Sequence, residues 1–165
     1  PGPSPSRLTI DVHVGQGALL RWLPEPTIAA GGCHHRIDTR ITLADGARLV
    51  WREELVLGRC GEEPGSMVSR LRIDHRSTPL FRHELATGPD HPAWASPAVG
   101  DGGRAAGSLV VVDPRWATGP PPTTVLGPQA AVVPLAGPAV QVLALADDSL
   151  VLRGLLDKGL AGLGW

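Results

Sequence analysis

Four residues in the first part of the sequence have side chains that could bind a metal ion. Cys33, His34 and His35 are consecutive, and Cys60 follows further along the chain. Thiolate and imidazole groups suit nickel or zinc. However, adjacent histidines in a strand point to opposite faces, and these spacings match no zinc-finger pattern. The four residues are therefore candidate metal ligands. The favoured alternative is a glycine bend with a buried cysteine and exposed histidines.

Three glutamates recur along the chain and could form a row of carboxylates. They are Glu25, Glu54 and Glu84. If the segments that carry them stack, like charges would lie close together at an energetic cost. Arginine partners, exposure to water or a passing divalent cation would each relieve that cost. A solvated or arginine-neutralised row is the favoured interpretation. The functional alternative is a carboxylate-lined path for Ni²⁺, which carboxylates hold loosely.

Two of the tryptophans outside the repeated pattern could contact a partner. They are Trp94, in His91-Pro92-Ala93-Trp94, and Trp165. Aromatic side chains are enriched at protein interfaces, so both are candidates for contact with a partner. Packing beneath surface loops is an equally good interpretation of each.

The segments that would position these residues have the pattern of β-strands. Residues 8–14 and 37–43 show the alternation of a half-buried strand. Residues 109–112 are continuously apolar, which is typical of a strand buried on both faces. Prolines are dense from 114 to 138, which predicts a crossing with little regular structure.

A repeated unit of strand, Gly-Ala turn and aromatic strand predicts how these strands are arranged. A shift of 29 residues gives the following pairs: Leu8 and Ile37, Val12 and Ile41, Val14 and Leu43, Gly17 and Gly46, Leu20 and Leu49, Trp22 and Trp51, Glu25 and Glu54, Ile28 and Leu57. A further shift of 30 places Phe81 on Trp51 and Glu84 on Glu54. Repeats of this length stack to bury a shared face. We therefore expect a mainly β protein of stacked repeat strands, solenoid-like or sandwich-like, with an aromatic ladder.

The chain of 165 residues predicts a single domain. A leucine stripe from 152 to 163 predicts a short C-terminal helix capped by Asp148 or Ser149. The expected divisions are a disordered start (1–7), a β-repeat body (8–113), a Pro-rich crossing (114–139) and a strand plus helix (140–165).

Composition and absent motifs exclude several classes of function. The formal net charge of −1 argues against a nucleic-acid partner. There is no apolar run long enough to span a membrane. Two cysteines do not make a disulfide framework, so we expect a reducing, cytoplasmic location. The sequence contains neither the phosphate-binding pattern Gly-x-x-x-x-Gly-Lys nor the hydrolase pattern Gly-x-Ser-x-Gly.

The β-repeat body contains several short motifs that occur together in one order. They are Trp22-Leu23-Pro24-Glu25, Leu49-Val50-Trp51, Glu54-Leu55-Val56-Leu57-Gly58-Arg59, Gly61-Glu62, Arg70-Leu71-Arg72-Ile73 and Pro79-Leu80. In this order the motifs resemble the UreD (UreH) family of urease accessory proteins. The resemblance extends from about residue 7 to residue 156 and is closest to actinobacterial members. Family members usually carry a sizeable N-terminal section before this point, and many have an acidic residue where Pro26 stands.

The resemblance implies a non-enzymatic scaffold with a β-helix-like fold. Such proteins hold apo-urease together with UreF and UreG while nickel is inserted, and the GTP hydrolysis belongs to UreG. No tightly bound cofactor is implied, although Ni²⁺ would be present transiently. The alternative is a stand-alone β-fold metalloenzyme that uses the Cys/His cluster. A cupin site would need two histidines one residue apart, whereas His34 and His35 are adjacent.

Overall fold

The computed structural model describes residues 4–165, which form eleven β-strands and one α-helix. The strands are β1 (Ser6–Val14), β2 (Leu19–Trp22), β3 (Thr27–Ala29), β4 (His34–Leu43), β5 (Arg48–Leu57), β6 (Ser66–His75), β7 (Thr78–Thr87), β8 (Ala105–Val112), β9 (Thr124–Gly127), β10 (Ala130–Pro134) and β11 (Ala139–Ala146). The helix α1 spans Ser149–Gly162, and short 3-10 turns lie at Pro92–Ala95 and Pro114–Trp116. The protein is mainly β with a short C-terminal helix, as the sequence predicts.

The strands form two sheets that pack face to face. Sheet A has the order β1-β4-β6-β7, and sheet B has the order β2-β5-β8-β11-β10-β9 with β3 also paired to β5. In sheet A the strands β1, β4 and β6 are parallel, and in sheet B the strands β2 and β3 are parallel to β5. All later strands pair antiparallel. The first part of the chain is therefore a short solenoid, and the second part widens sheet B.

The register of the parallel strands confirms the first two repeat units. Trp22 of β2 pairs with Trp51 of β5, and β1 pairs with β4 at the same offset of 29 residues. The two Gly-Ala turns are also equivalent, since φ is 66° at Gly17 and 67° at Gly46. Glycine adopts this left-handed conformation without strain. The turns are joined by a hydrogen bond of 2.9 Å that the Gly17 N–H donates to the Asp45 carbonyl.

The repeat slips by one residue at β3. Ile28 was expected opposite Leu57, but it pairs with Val56. The cause lies in the linker before β3. Four residues separate Trp22 from Thr27, whereas only three separate their partners on β5, Trp51 and Leu55. The extra residue makes the linker between β2 and β3 bulge out of the sheet.

The prediction of a third repeat unit is wrong. After β6 the chain turns at Arg76, where φ is 56°, and β7 returns antiparallel in the same sheet instead of crossing to sheet B. Phe81 consequently pairs with Ile73 of sheet A. The aromatic ladder therefore has two rungs, Trp22 and Trp51, and Phe81 lies in the opposite layer.

Sheet B is the middle layer of three, and its core strands are buried on both faces. Every residue of β8 is buried, which agrees with the continuous apolar run at 109–112. Alternate residues of sheet B pack against sheet A, and the others pack against α1 through Leu152, Leu156 and Leu160. The helix begins as predicted, because the Asp148 carboxylate accepts a hydrogen bond of 2.8 Å from the Val151 N–H.

Two of the expected divisions of the chain need correction. The stretch 114–139 is not an irregular crossing, because it contains the antiparallel pair β9 and β10. Its prolines fall mainly between the strands or at their ends, where a missing N–H is tolerated. Of the start predicted to be disordered, residues 1–3 lie outside the described range, whereas Ser6 and Arg7 belong to β1. Within residues 4–165, no helix combines the length and hydropathy needed to cross a lipid bilayer.

Candidate functional site

A cavity of about 650 Å³ lies between the two sheets. Every strand of sheet A contributes to its wall, from Leu8 on one edge strand to His83 on the other. Sheet B contributes from Trp22 on β2 to Val125 on β9. The cavity therefore crosses the sandwich perpendicular to the strands, and a large share of its wall is apolar.

Glu53 brings a carboxylate into the cavity. It lies on β5 with the same parity as Leu49, Trp51 and Leu55, which face sheet A. Its two oxygens accept hydrogen bonds from the Trp51 indole N–H at 3.2 Å and from the Ser69 hydroxyl at 3.3 Å. Burial raises the pKa of Glu53, and the two donors only partly oppose that effect. Binding of a proton or a cation stabilises a buried carboxylate of this kind, because it neutralises the buried charge.

Two further polar groups of sheet A line the same cavity. Burial lowers the pKa of His83 on β7, so its imidazole is held in the neutral form that can accept a hydrogen bond or bind a metal. The Thr39 hydroxyl on β4 is buried and has no hydrogen-bond partner among the described residues. Together with Glu53 and Ser69, these groups place polar atoms from four strands along the wall of one cavity.

Two of the three predicted glutamates meet at one arginine. Arg153 of α1 contacts the Glu54 carboxylate at 3.2 Å and the Glu25 carboxylate at 3.0 Å. Glu54 also contacts Arg52 at 2.8 Å, and its side chain is only 1% exposed, whereas that of Glu25 is 85% exposed. Both glutamates are part of the cavity wall. Glu25 and Glu54 therefore match the interpretation in which arginines neutralise the glutamates.

Glu84 is not part of this row. It lies on β7 in sheet A, where it forms an ion pair with Arg70 of β6. The expectation of three stacked carboxylates is wrong, because the chain returns within sheet A after β6. A role of Glu25, Glu54 or Glu84 in a nickel path stays a prediction.

The two predicted cysteine ligands lie in different surroundings. Cys33 is partly buried in the turn before β4, and its thiol lies 3.8 Å from the Ser66 carbonyl oxygen. Burial raises the pKa of that thiol, and the nearby carboxylate of Glu62 raises it further. Cys60 is exposed in the turn after β5. A buried thiol with a raised pKa is less readily ionised to the thiolate that binds metals.

The two predicted histidine ligands each have another partner. His34 faces the Asp90 carboxylate at 3.8 Å, and the His35 Nδ1 lies 2.7 Å from the Ser6 hydroxyl. Within residues 4–165, no three histidine, cysteine, aspartate or glutamate side chains are grouped so that they could hold a metal ion. The structure therefore assembles no three-ligand site from the four candidates, and metal binding by them stays a prediction.

Both tryptophans proposed for partner contact take part in internal packing. Trp94 is 9% exposed and lies in the 3-10 turn beside the cavity. Trp165 packs against the core under α1, with the guanidinium groups of Arg48 and Arg115 each 5.9 Å from its ring. The packing alternative describes Trp94 directly. Partner contact through either residue stays a prediction.

The sequence interpretation did not single out Glu53 or His83. Glu53 interrupts the inward-facing apolar row of β5, and this period-two signal is visible in the sequence. His83 carried no comparable signal, because its position at the cavity depends on the hairpin of β6 and β7.

The comparison with known families agrees with the motifs of the repeat body. The model of the UreD urease accessory protein family matches residues 2–158. The chain belongs to the UreD family. The match covers both repeat units, the cavity and most of α1.

Curated relatives give the same family assignment. The chain is 47% identical to urease accessory protein UreD 3 of Streptomyces griseus over 97% of its own length and 64% of the relative. It is 48% identical to urease accessory protein UreD of Streptomyces avermitilis over 99% of its own length and 66% of the relative. It is 52% identical to the Streptomyces coelicolor protein of that name over 95% of its own length and 61% of the relative. The chain thus spans less than two thirds of each of these UreD relatives.

Proposed function

We propose that this protein is a non-catalytic scaffold that holds apo-urease together with UreF and UreG while nickel is inserted. The observation that carries the proposal is its membership of the UreD family, whose model matches residues 2–158. The relatives are named urease accessory proteins, so their role concerns the maturation of another enzyme. Nickel is the cargo in this proposal and is not a resident cofactor of the chain.

The cavity between the sheets supports a part for this scaffold in the movement of nickel. The cavity is partly open to solvent, and its few polar groups give a hydrated cation few places to bind. Carboxylate and hydroxyl groups bind Ni²⁺ more loosely than thiolate or imidazole groups do, and loose binding suits transit. Glu53 is the group that would attract the cation, because its buried carboxylate is stabilised by a positive charge.

Activation of urease in cells tests the scaffold role. Cells that lack their own UreD would express the urease subunits and the other accessory proteins, with or without this chain. We expect urease activity only when the chain is present, and we expect UreF to co-purify with it. Co-expression with UreF should also raise its soluble yield, because a partner that binds the folded state stabilises it.

The control separates scaffolding from non-specific solubilisation. An unrelated β-sandwich protein of similar size, expressed at the same level, should not restore activity. Equal urease activity with and without this chain, together with no co-purification of UreF, would contradict the proposed function.

A further inference from the structure

A row of arginines crosses the outer face of sheet A. The strand register places Arg40 of β4 beside Arg72 of β6, and Arg72 beside Arg82 of β7. All three side chains are exposed. They point away from sheet B, because their chain neighbours Ile41 and Leu71 are buried in the core between the sheets.

Like charges on adjacent strands are unfavourable, and elsewhere on this face carboxylates neutralise the arginines. Arg7 and Arg36 both contact the Asp38 carboxylate, at 3.8 Å and 2.9 Å. Arg70 is paired with Glu84 in the same way. Pairing with a nearby carboxylate is thus the usual state of an arginine on this sheet.

Arg40 and Arg72 are the exceptions. Within residues 4–165, neither has a carboxylate oxygen within 4.0 Å of its guanidinium group. Asp11 stands opposite Arg40 in the register of β1, yet it is not within that distance. The third member of the row, Arg82, is paired with Asp74. Two arginines without an ion pair among residues 4–165 therefore stand opposite each other, on strands roughly 4.8 Å apart.

We propose that Arg40 and Arg72 form a docking site for an acidic protein surface that presents carboxylates to the outer face of sheet A. The inference rests on the proposed scaffold role, since it assigns the face by which the scaffold binds an acidic partner. A guanidinium group matches a carboxylate through two parallel hydrogen bonds, so two neighbouring arginines can bind a pair of carboxylates.

The surroundings of the row favour a protein over a polyphosphate. Carboxylates of Asp11, Asp38, Asp74 and Glu84 lie on the same face, so the surface around the row carries charges of both signs. A folded partner can place carboxylates at the row and its own basic groups around it. Such charge complementarity increases association rates and specificity.

Binding of purified apo-urease and UreF by charge-reversed protein tests the site. The double variant Arg40→Glu, Arg72→Glu should bind the acidic partner at least about tenfold more weakly than the wild type. Wild-type binding should weaken as salt is added, because exposed charges are screened. The double variant Arg40→Lys, Arg72→Lys keeps the positive charges but loses the two parallel hydrogen bonds of each guanidinium group, so its binding should be intermediate. The matched control is Arg21→Glu, an exposed arginine of sheet B outside the row.

Each result of this experiment decides between the two proposals. Equal binding by the wild type and the double variant overturns the docking site and leaves the scaffold role standing. If the wild type binds neither apo-urease nor UreF, the scaffold role fails, and poly-L-glutamate then serves as the probe. Weaker binding of poly-L-glutamate by the double variant alone supports the site, whereas equal binding overturns it. Tighter wild-type binding of inorganic polyphosphate than of poly-L-glutamate overturns the assignment to an acidic protein.

Protein folding is checked independently of binding. Circular dichroism and thermal unfolding should show the double variant folded, since both side chains are exposed and one pair of like charges replaces another. If the charge reversal does not fold, Arg40→Gln, Arg72→Gln takes its place. Its loss of binding supports the site, and unchanged binding overturns it.

Discussion

The indole rings of Trp22 and Trp51 are stacked across the two coils of the solenoid, with centroids 5.1 Å apart and an interplanar angle of 7°. The stack joins equivalent positions of the two repeat units, because Trp22 and Trp51 pair directly in the register of sheet B. Their surroundings nevertheless differ. Trp51 is 1% exposed in the core between the sheets, whereas Trp22 lies on the edge strand and is 39% exposed. The same motif therefore contributes differently to stability in each unit.

Replacing Trp51 with alanine should lower the free energy of unfolding by about 3–5 kcal/mol, since it removes a fully buried indole and leaves a cavity. Trp22→Ala should cost clearly less, because much of that ring already contacts water. Urea unfolding followed by circular dichroism measures both variants. Losses of equal size would contradict the assignment of Trp51 alone to the closed core.

The repeat could be read from the sequence because parallel stacking gives equivalent residues equivalent environments. Gly17 and Gly46 both form a left-handed turn, and Trp22 and Trp51 both face sheet A, so the same residue types recur. The prediction of a third unit is wrong because the direction of β7 depends on the tight turn at Arg76. A repeat period of about 30 residues does not predict that turn.

The candidate site was harder to predict than the fold. Glu53 and Glu54 are adjacent, and they face opposite sides of sheet B. Repeat alignment selects Glu54, whereas the alternation of apolar residues along β5 selects Glu53 as the one facing sheet A. Cys33 and Cys60 occupy similar places in neighbouring repeats, yet sequence spacing does not specify whether a turn side chain is buried or exposed. Side-chain direction in turns depends on tertiary contacts that no local pattern records.

Glu54→Gln should destabilise the protein by about 3 kcal/mol, because it removes one partner of a buried ion pair. The glutamine would leave the guanidinium groups of Arg52 and Arg153 beside an uncharged side chain at a position that is 1% exposed. The matched control is Glu25→Gln, which removes the exposed carboxylate from the same Arg153 and should change stability by less than about 1 kcal/mol. Chemical denaturation of both variants provides the comparison, and equal effects would show that burial of Glu54 is not decisive.

Glu53 should make the protein less stable as the pH rises. Its folded-state pKa lies above the ordinary value of 4.5, chiefly because of burial. Between those two values the native state keeps a proton that the unfolded state releases, so the free energy of unfolding falls with rising pH and then levels off. Glu53→Gln cannot titrate and should lack this fall. Urea unfolding at several pH values from 4 upward tests this, and parallel curves for the two proteins would contradict it.

His83 should make the protein less stable as the pH falls. Burial lowers its pKa in the folded state below the ordinary value of 6.5. As the pH falls below 6.5, the unfolded state gains a proton before the native state does, so stability is lost until the folded-state pKa is passed. His83→Gln should remove that acid-side loss while leaving the effect of Glu53 in place. NMR titration of the imidazole gives the folded-state pKa directly, and a value at or above 6.5 would rule out the prediction.

The nickel path can be tested by removing carboxylates one at a time, and the structure changes which of them should matter. Glu53 and Glu25 line the cavity, whereas Glu84 lies on sheet A with Arg70 and is not part of the cavity wall. Glu53→Gln keeps the shape and a hydrogen-bond acceptor but deletes the charge that attracts Ni²⁺, so it should slow urease activation when nickel is limiting. Excess nickel should restore most of the activity, because a higher nickel concentration compensates for a weaker path.

Glu25→Gln should have a smaller effect in the same direction, and the Glu84→Gln variant should activate urease normally. Urease activity is measured together with pull-down of the complex with UreF and UreG, so that a damaged interface is distinguished from a slower path. Normal activation by the Glu25→Gln, Glu53→Gln double variant at limiting nickel would exclude these two carboxylates from the path.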